Sequence, residues 1–136
     1  MKLAPINKKL ITNATAATIS AAELTEDFKD LHLTVSATTA AASGATVRVY
    51  GSFNEQKPDF TVAASLTNKY FTVSVKDLNN VASIDGSTGI VLGASLTDSI
   101  KAYMVNTNAL RWICIKVESV SGTVDVSVDL DASDNI

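Results

Sequence analysis

Val124-Asp125-Val126-Ser127-Val128-Asp129-Leu130-Asp131 is the stretch that decides the fold. Every second residue is apolar and every intervening one is Asp or Ser. Only a strand, whose side chains alternate between faces, places such a set on one side. Val126 and Val128 are thereby assigned to a core and the aspartates to solvent. A helix would scatter the same residues around its axis.

Working outward, the same period returns. Leu31, Leu33, Val35 and Ala37 alternate with His32, Thr34, Ser36 and Thr38, and Val47 and Val49 alternate with Thr46, Arg48 and Tyr50. Gly51 reads as a bulge or close-approach point. Phe71, Val73 and Val75 alternate with Tyr70, Thr72 and Ser74 and predict one half-buried strand. Ile100, Ala102 and Met104 share a face opposite Tyr103 and Val105. Residues 110–117 are apolar on both faces and predict a central, doubly covered strand, with Trp112 as its largest core side chain beside Ile113 and Ile115. The connection at 119–122 has hairpin chemistry. Between these runs lie turn-forming stretches, such as 54–59 with Pro58 and 84–89 with two glycines. Residues 15–20 read as a short first strand. Ser20 with Glu23, followed by Leu24, Phe28 and Leu31, makes a helical turn over 21–30 its competitor.

Composition agrees. Ala, Thr, Ser and Val supply 61 of the 136 residues, while the helix-surface residues Glu and Lys number only 4 and 9. That balance disfavours a helical bundle and also disfavours disorder. The expected fold is all-β, an antiparallel β-sandwich or jelly roll of about seven to nine strands, with a single domain over residues 13–136. Residues 1–12 show no strand or helix period and are expected to form an extended N-terminal arm.

Chemical candidates are few. His32, the one histidine, sits on the polar side of a clean strand and reads as an exposed strand residue. Cys114, the one cysteine, lies in an apolar run, which points to a buried structural thiol and a reducing cytoplasm. Asp129, Asp131 and Asp134 could offer hard oxygen ligands to calcium, but the turn glycine and distal Glu of an EF-hand loop are absent, so a solvated strand end is favoured. Glu55 and Asp59 are a carboxylate pair without a fixed separation, which glycosidic cleavage would require. Two arginines and no basic run interleaved with aromatics speak against nucleic-acid binding. Tyr50, Tyr70 and Tyr103 could form a sugar-stacking platform, although tyrosine is also ordinary sheet filling. No secretory signal or membrane span is read, and no catalytic residue, metal or cofactor is expected.

One larger pattern spans about residues 20–130. Val47-Arg48-Val49-Tyr50-Gly51-Ser52-Phe53-Asn54 is followed by Pro58-Asp59-Phe60, Asn68 and Tyr70, and Asp85-Gly86-Ser87-Thr88-Gly89. Val105-Asn106, Leu110-Arg111-Trp112-Ile113 and Ser121-Gly122-Thr123-Val124 complete it. This pattern resembles small β-sandwich virion structural proteins of tailed bacteriophages, of the capsid auxiliary, decoration or head-fibre type, including those of crAss-like phages. It consists of strand and turn signatures and contains no catalytic motif. The resemblance implies a non-enzymatic protein made in the host bacterial cytoplasm and built into the virion. Its expected partners are the major capsid protein or other virion proteins, with no nucleic acid and no membrane, in a homo-oligomer for which a trimer is favoured. A head-fibre or vertex component, and a carbohydrate-binding module for host adhesion, are the alternatives.

The arm is the expected docking element. Leu3, Ile6, Leu10 and Ile11 would supply apolar anchors, and Lys2, Lys8 and Lys9 would meet acidic groups on the shell or a neighbouring subunit. The expected core is Trp112, Leu33, Val35, Val47, Val49, Phe71, Val73, Ile113, Ile115, Val126 and Val128.

Overall fold

In the computed structural model, residues 6–25, 28–106 and 110–132 are described. They form strands β1 (Ile6–Ala14), β2 (Thr18–Ile19), β3 (Glu23–Leu24), β4 (Asp30–Thr39), β5 (Gly44–Ser52) and β6 (Phe71–Val73). Then come β7 (Val75–Asp77), β8 (Ala82–Ile84), β9 (Ile90–Leu92), β10 (Ser99–Asn106), β11 (Trp112–Ser121) and β12 (Val124–Ala132). No helix occurs among the described residues.

The strands make two antiparallel sheets facing each other. The first has the order β1-β12-β4-β10-β7-β8. In the second, β11 and β5 form the centre; β2 and β3 pair with the free side of β11, and β6 and β9 with the free side of β5. The result is the antiparallel β-sandwich that the alternation predicts, in twelve elements because several strands are short segments lying end to end.

Register explains the core. β12 lies against β4 with Val126 opposite Ala37, Val128 opposite Val35 and Leu130 opposite Leu33. All six point inward and are buried. In the second sheet Val117, Ile115 and Ile113 stand opposite Val47, Val49 and Gly51. Packing these two apolar faces removes both from water, the largest favourable term in such a fold. Gly51 is a close-approach point, since a Cβ there would lie 2.8 Å from Val73 Cγ2 and 3.1 Å from Leu110 Cδ2.

Several expectations are corrected. Residues 6–12 are not an arm: they belong to β1, which pairs antiparallel with β12 as the edge of the first sheet. Register shifts between Lys9 and Ile11 and between Ile11 and Ala14 break the alternation, which is why the segment looked unpatterned. The stretch 70–77 is not one strand. It divides at Ser74, with β6 in the second sheet and β7 in the first. Nor is 119–122 a hairpin, because β11 and β12 lie in different sheets and the turn carries the chain across the sandwich. Residues 23–24 pair with β11 in place of the helical turn.

The core list changes at three residues. Phe71 is 40% exposed: it lies opposite Gly51 on the edge strand β6, with no further strand beyond it, and leans on Phe53 with ring centroids 5.0 Å apart. Val73 is partly buried at the core margin. Trp112 is only partly buried and outside the core cluster, because alternation along β11 sends Ile113, Ile115 and Val117 inward and Trp112 to the outer side. Cys114 shares that outer side yet is fully buried beside Ser20, whose Oγ accepts from Ile115 N at 2.9 Å.

Candidate functional site

The residues expected to dock have mostly been absorbed into the fold. Ile11 is 2% exposed, and Ile6 and Leu10 are partly buried against the core. Lys8 Nζ lies 3.0 Å from the Glu23 carboxylate. Because Lys8 is on β1 of one sheet and Glu23 on β3 of the other, this pair clasps the open edge of the sandwich. Lys9 is exposed opposite Asp129. Lys2 and Leu3 lie outside the described residues, as does Asp134.

The other candidates disperse. His32 is exposed on the outer face of β4, as expected. Cys114 is buried and burial raises its pKa, which suits a structural thiol. Asp129 and Asp131 stand on the outer side of β12, and no cluster of three metal-binding side chains occurs among the described residues. Asp59 is held in a local turn: the backbone N–H and the hydroxyl of Thr61 both donate to Oδ1, and these bonds depress its pKa. Tyr103 is 4% exposed and faces inward from the first sheet, so the three tyrosines do not share a platform.

What the structure does assemble is a cluster on the outer side of the second sheet. Tyr50 from β5 and Tyr70 from the residue before β6 meet edge to face, with centroids 5.6 Å apart. Lys116 from β11 places its ammonium 4.4 Å from the Tyr50 ring centroid and 4.9 Å from that of Tyr70, and donates to the Tyr70 hydroxyl at 3.3 Å. The ring faces are therefore turned to a cation. The Tyr50 hydroxyl donates to Glu118 at 2.6 Å, and burial together with that carboxylate pushes the Tyr50 pKa up to about 12. Arg48 approaches Glu118 at 3.8 Å and its Nε donates to the Ser87 carbonyl at 3.0 Å. Phe60 packs on Tyr70 at 4.9 Å.

This cluster holds down the long connection between β5 and β6. The Tyr70 hydroxyl donates to the Val62 carbonyl, while Asn68 accepts from Asp59 N and donates to Asp59 O, both at 2.8 Å. Beside it lies a cleft of about 410 Å³ between residues 19–22 and residues 57–61. From sequence alone Phe60, Lys116 and this cleft were missed. The spacing Pro58-Asp59-x-Thr61 is the one local signal that the connection is ordered.

A second surface feature is the outer side of the first sheet. His32, Thr34, Ser36 and Thr38 on β4 lie beside Ile100, Ala102 and Met104 on β10 in register. Ile100 is 68% exposed there.

Together these features define a two-sheet antiparallel β-sandwich with one stapled surface connection and one broad face on which the uncharged β4 and β10 rows are flanked by Asp125, Asp129 and Asp131 of β12. Among solved structures the fold is similar to that of the SPBc2 prophage-derived protein YomS, with a TM-score of 0.59 over 96% of this chain and 94% of that one. Identity is 14%, so the likeness is one of fold. No protein-family model and no curated protein matches the sequence.

Proposed function

We propose that this chain is a structural subunit of a bacteriophage particle, a capsid auxiliary protein that decorates the shell. The observation that carries the reading is the end-to-end fold likeness to a prophage-derived protein, which leaves almost none of either chain uncovered. A head-fibre or vertex position is the nearest variant.

The docking role moves from residues 1–12 to the outer side of the first sheet. The β4 row of His32, Thr34, Ser36 and Thr38 carries no carboxylate or lysine, and such side chains are cheaper to desolvate than full charges, while Asp125, Asp129 and Asp131 on the neighbouring β12 row would meet basic groups on the shell. Ile100 is the exposed apolar anchor at its centre. An Ile100→Asp variant tests this. It should melt like the parent, because Ile100 is a surface residue, yet be lost from density-purified particles that contain the parent chain at fixed copy number. Parent chain absent from purified particles would refute the structural role. Undiminished incorporation of Ile100→Asp would refute this docking face.

A further inference from the structure

Asp85-Gly86 is the one place in the chain where an aspartate precedes a glycine, and no asparagine does so. That dipeptide carries its own chemistry. With no side chain in the way, the glycine nitrogen can attack the neighbouring carboxyl carbon and close a five-membered succinimide ring. An N–C bond forms, the C–O bond to the carboxyl hydroxyl breaks, and the hydroxyl leaves as water with the amide proton. Water then reopens the ring. Opening at the backbone carbonyl leaves isoaspartate, in which the chain runs through the former side-chain carbons.

The fold puts this pair at a junction. Residues 85–89 carry the chain from β8 in the first sheet to β9 in the second, beside Ser74, where it crosses from β6 to β7. The two crossings are tied together, because Gly86 N donates to Ser74 Oγ at 3.2 Å. Gly86 is buried so tightly there that a Cβ would lie 2.8 Å from Val73 C and 2.9 Å from Thr72 C. Asp85 is held from the other side. Its Oδ1 accepts from the N–H and from the hydroxyl of Ser87, each at 2.8 Å, and its backbone carbonyl accepts from Thr88 N and Gly89 N. The proton of the attacking nitrogen is thus engaged by Ser74, and the carboxyl is turned to Ser87. The bonds from Ser87 also depress the Asp85 pKa, which keeps the group ionised and a poor electrophile.

We propose that Asp85 is a latent isoaspartate site, closed by these bonds in the folded chain and reactive only when residues 85–89 open. Its modification would be felt beyond the loop. The Ser87 carbonyl accepts from Arg48 Nε at 3.0 Å, and Arg48 also approaches Glu118, so a rerouted backbone at 85–86 displaces an anchor of the Tyr50 cluster. Gly89, at φ +74° against Thr46 and Arg48, then leads into β9. An isoaspartate lengthens the backbone just before this fitted turn and loosens the edge where β9 meets β5. The proposal does not depend on the virion reading.

Ageing the full-length chain at neutral pH, followed by peptide mapping for isoaspartate, tests it. The folded parent should accumulate isoaspartate at Asp85 at least about tenfold more slowly than the same chain held unfolded in guanidinium chloride. Ser74→Ala removes the acceptor of Gly86 N. It should speed both isoaspartate formation at Asp85 and hydrogen exchange of the Gly86 amide by about fivefold. Ser87→Ala, which keeps the backbone bond to Asp85 and loses the hydroxyl one, should act in the same direction. Equal rates in the folded and unfolded parent would overturn the closed site. Variants that age like the parent, or that age faster without faster Gly86 exchange, would overturn opening of residues 85–89 as the controlling step. An unfolded chain that forms no isoaspartate at Asp85, or forms it first at Asp98-Ser99, would overturn Asp85 as the reactive residue.

Discussion

Replacing Lys116 by Met removes the ammonium while keeping a stem of similar length, and it isolates what holds the β5–β6 connection to the sheet. Lys116 is partly buried between two tyrosine rings at 4.4 and 4.9 Å. A cation over one ring contributes about 0.5–1 kcal/mol when exposed and about 2 when desolvated. Two rings at intermediate burial therefore give about 2 kcal/mol, to which the hydrogen bond to Tyr70 adds a smaller amount. For a chain of this length that corresponds to a melting temperature lower by about 7 °C if the whole fold feels the loss. If the connection opens by itself, the loss falls locally, and hydrogen exchange of its amides should accelerate by about thirtyfold while β4 and β12 amides keep their protection. Calorimetry and site-resolved hydrogen exchange on the same two proteins distinguish these outcomes. A double-mutant cycle with Tyr50→Phe, which keeps the ring face but loses the bond to Glu118, should show little coupling beyond that of the shared ring. Unchanged exchange in residues 54–70 together with an unchanged melting temperature would refute the claim that the Lys116 cradle is the staple.

Ile115→Ala should cost about 2–5 kcal/mol, because Ile115 is fully buried, and Trp112→Ala should cost less than Ile115→Ala despite removing more atoms; urea titration gives the ranking, and the reverse order would return Trp112 to the core. Gly122→Ala should lower the melting temperature by several degrees, since φ is +70° there and a Cβ would lie 2.2 Å from Ser43 Oγ at the turn that crosses between sheets. Acid should destabilise the fold in one direction. Asp59, Asp77 and Asp85 have folded pKa values held below 3.8 by hydrogen bonds from Thr61, Asn79 and Ser87 respectively. Their contribution is therefore complete above about pH 4 and is lost as pH falls through the lower, folded values. Melting temperatures that stay constant from pH 5 to pH 2 would contradict it.

The parts of the fold legible in sequence are those where a strand stays in one sheet and has one dry face. In β4 and β12 the alternation of Leu33 and Val35, and of Val126 and Val128, maps directly onto burial. Changes of sheet are invisible to this reading. A chain that leaves one sheet at Ser74 and enters the other keeps its period of two, so β6 and β7 look continuous. The turn at Ser119 and Gly122 uses positive φ angles in an inter-sheet crossing just as it would in a hairpin. In β1 the opposite happens: its irregular register puts Ile6, Lys8 and Ile11 on the inner side without regular spacing, and a genuine strand looks like an arm. The surface cluster was illegible for a different reason. Tyr50, Tyr70 and Lys116 come from three separate parts of the chain and meet only through the pairing of β11 with β5 and of β5 with β6. A tyrosine in a strand cannot announce which cation will cover it. The ordering of the β5–β6 connection was hidden because it comes from side-chain bonds such as Asn68 to Asp59, which no periodicity encodes.

The proposed role of this sandwich as a repeating part of a phage particle, docked through the outer side of its first sheet, is open to direct observation. A subnanometre cryo-electron microscopy map of the particle tests it most directly. Such docking predicts density for the two-sheet sandwich at symmetry-related positions on the shell, with the β4 and β10 face carrying Ile100 turned toward the capsid surface. A fully occupied map with no such density would contradict the structural role, and one with that face turned outward to solvent would contradict the docking assignment.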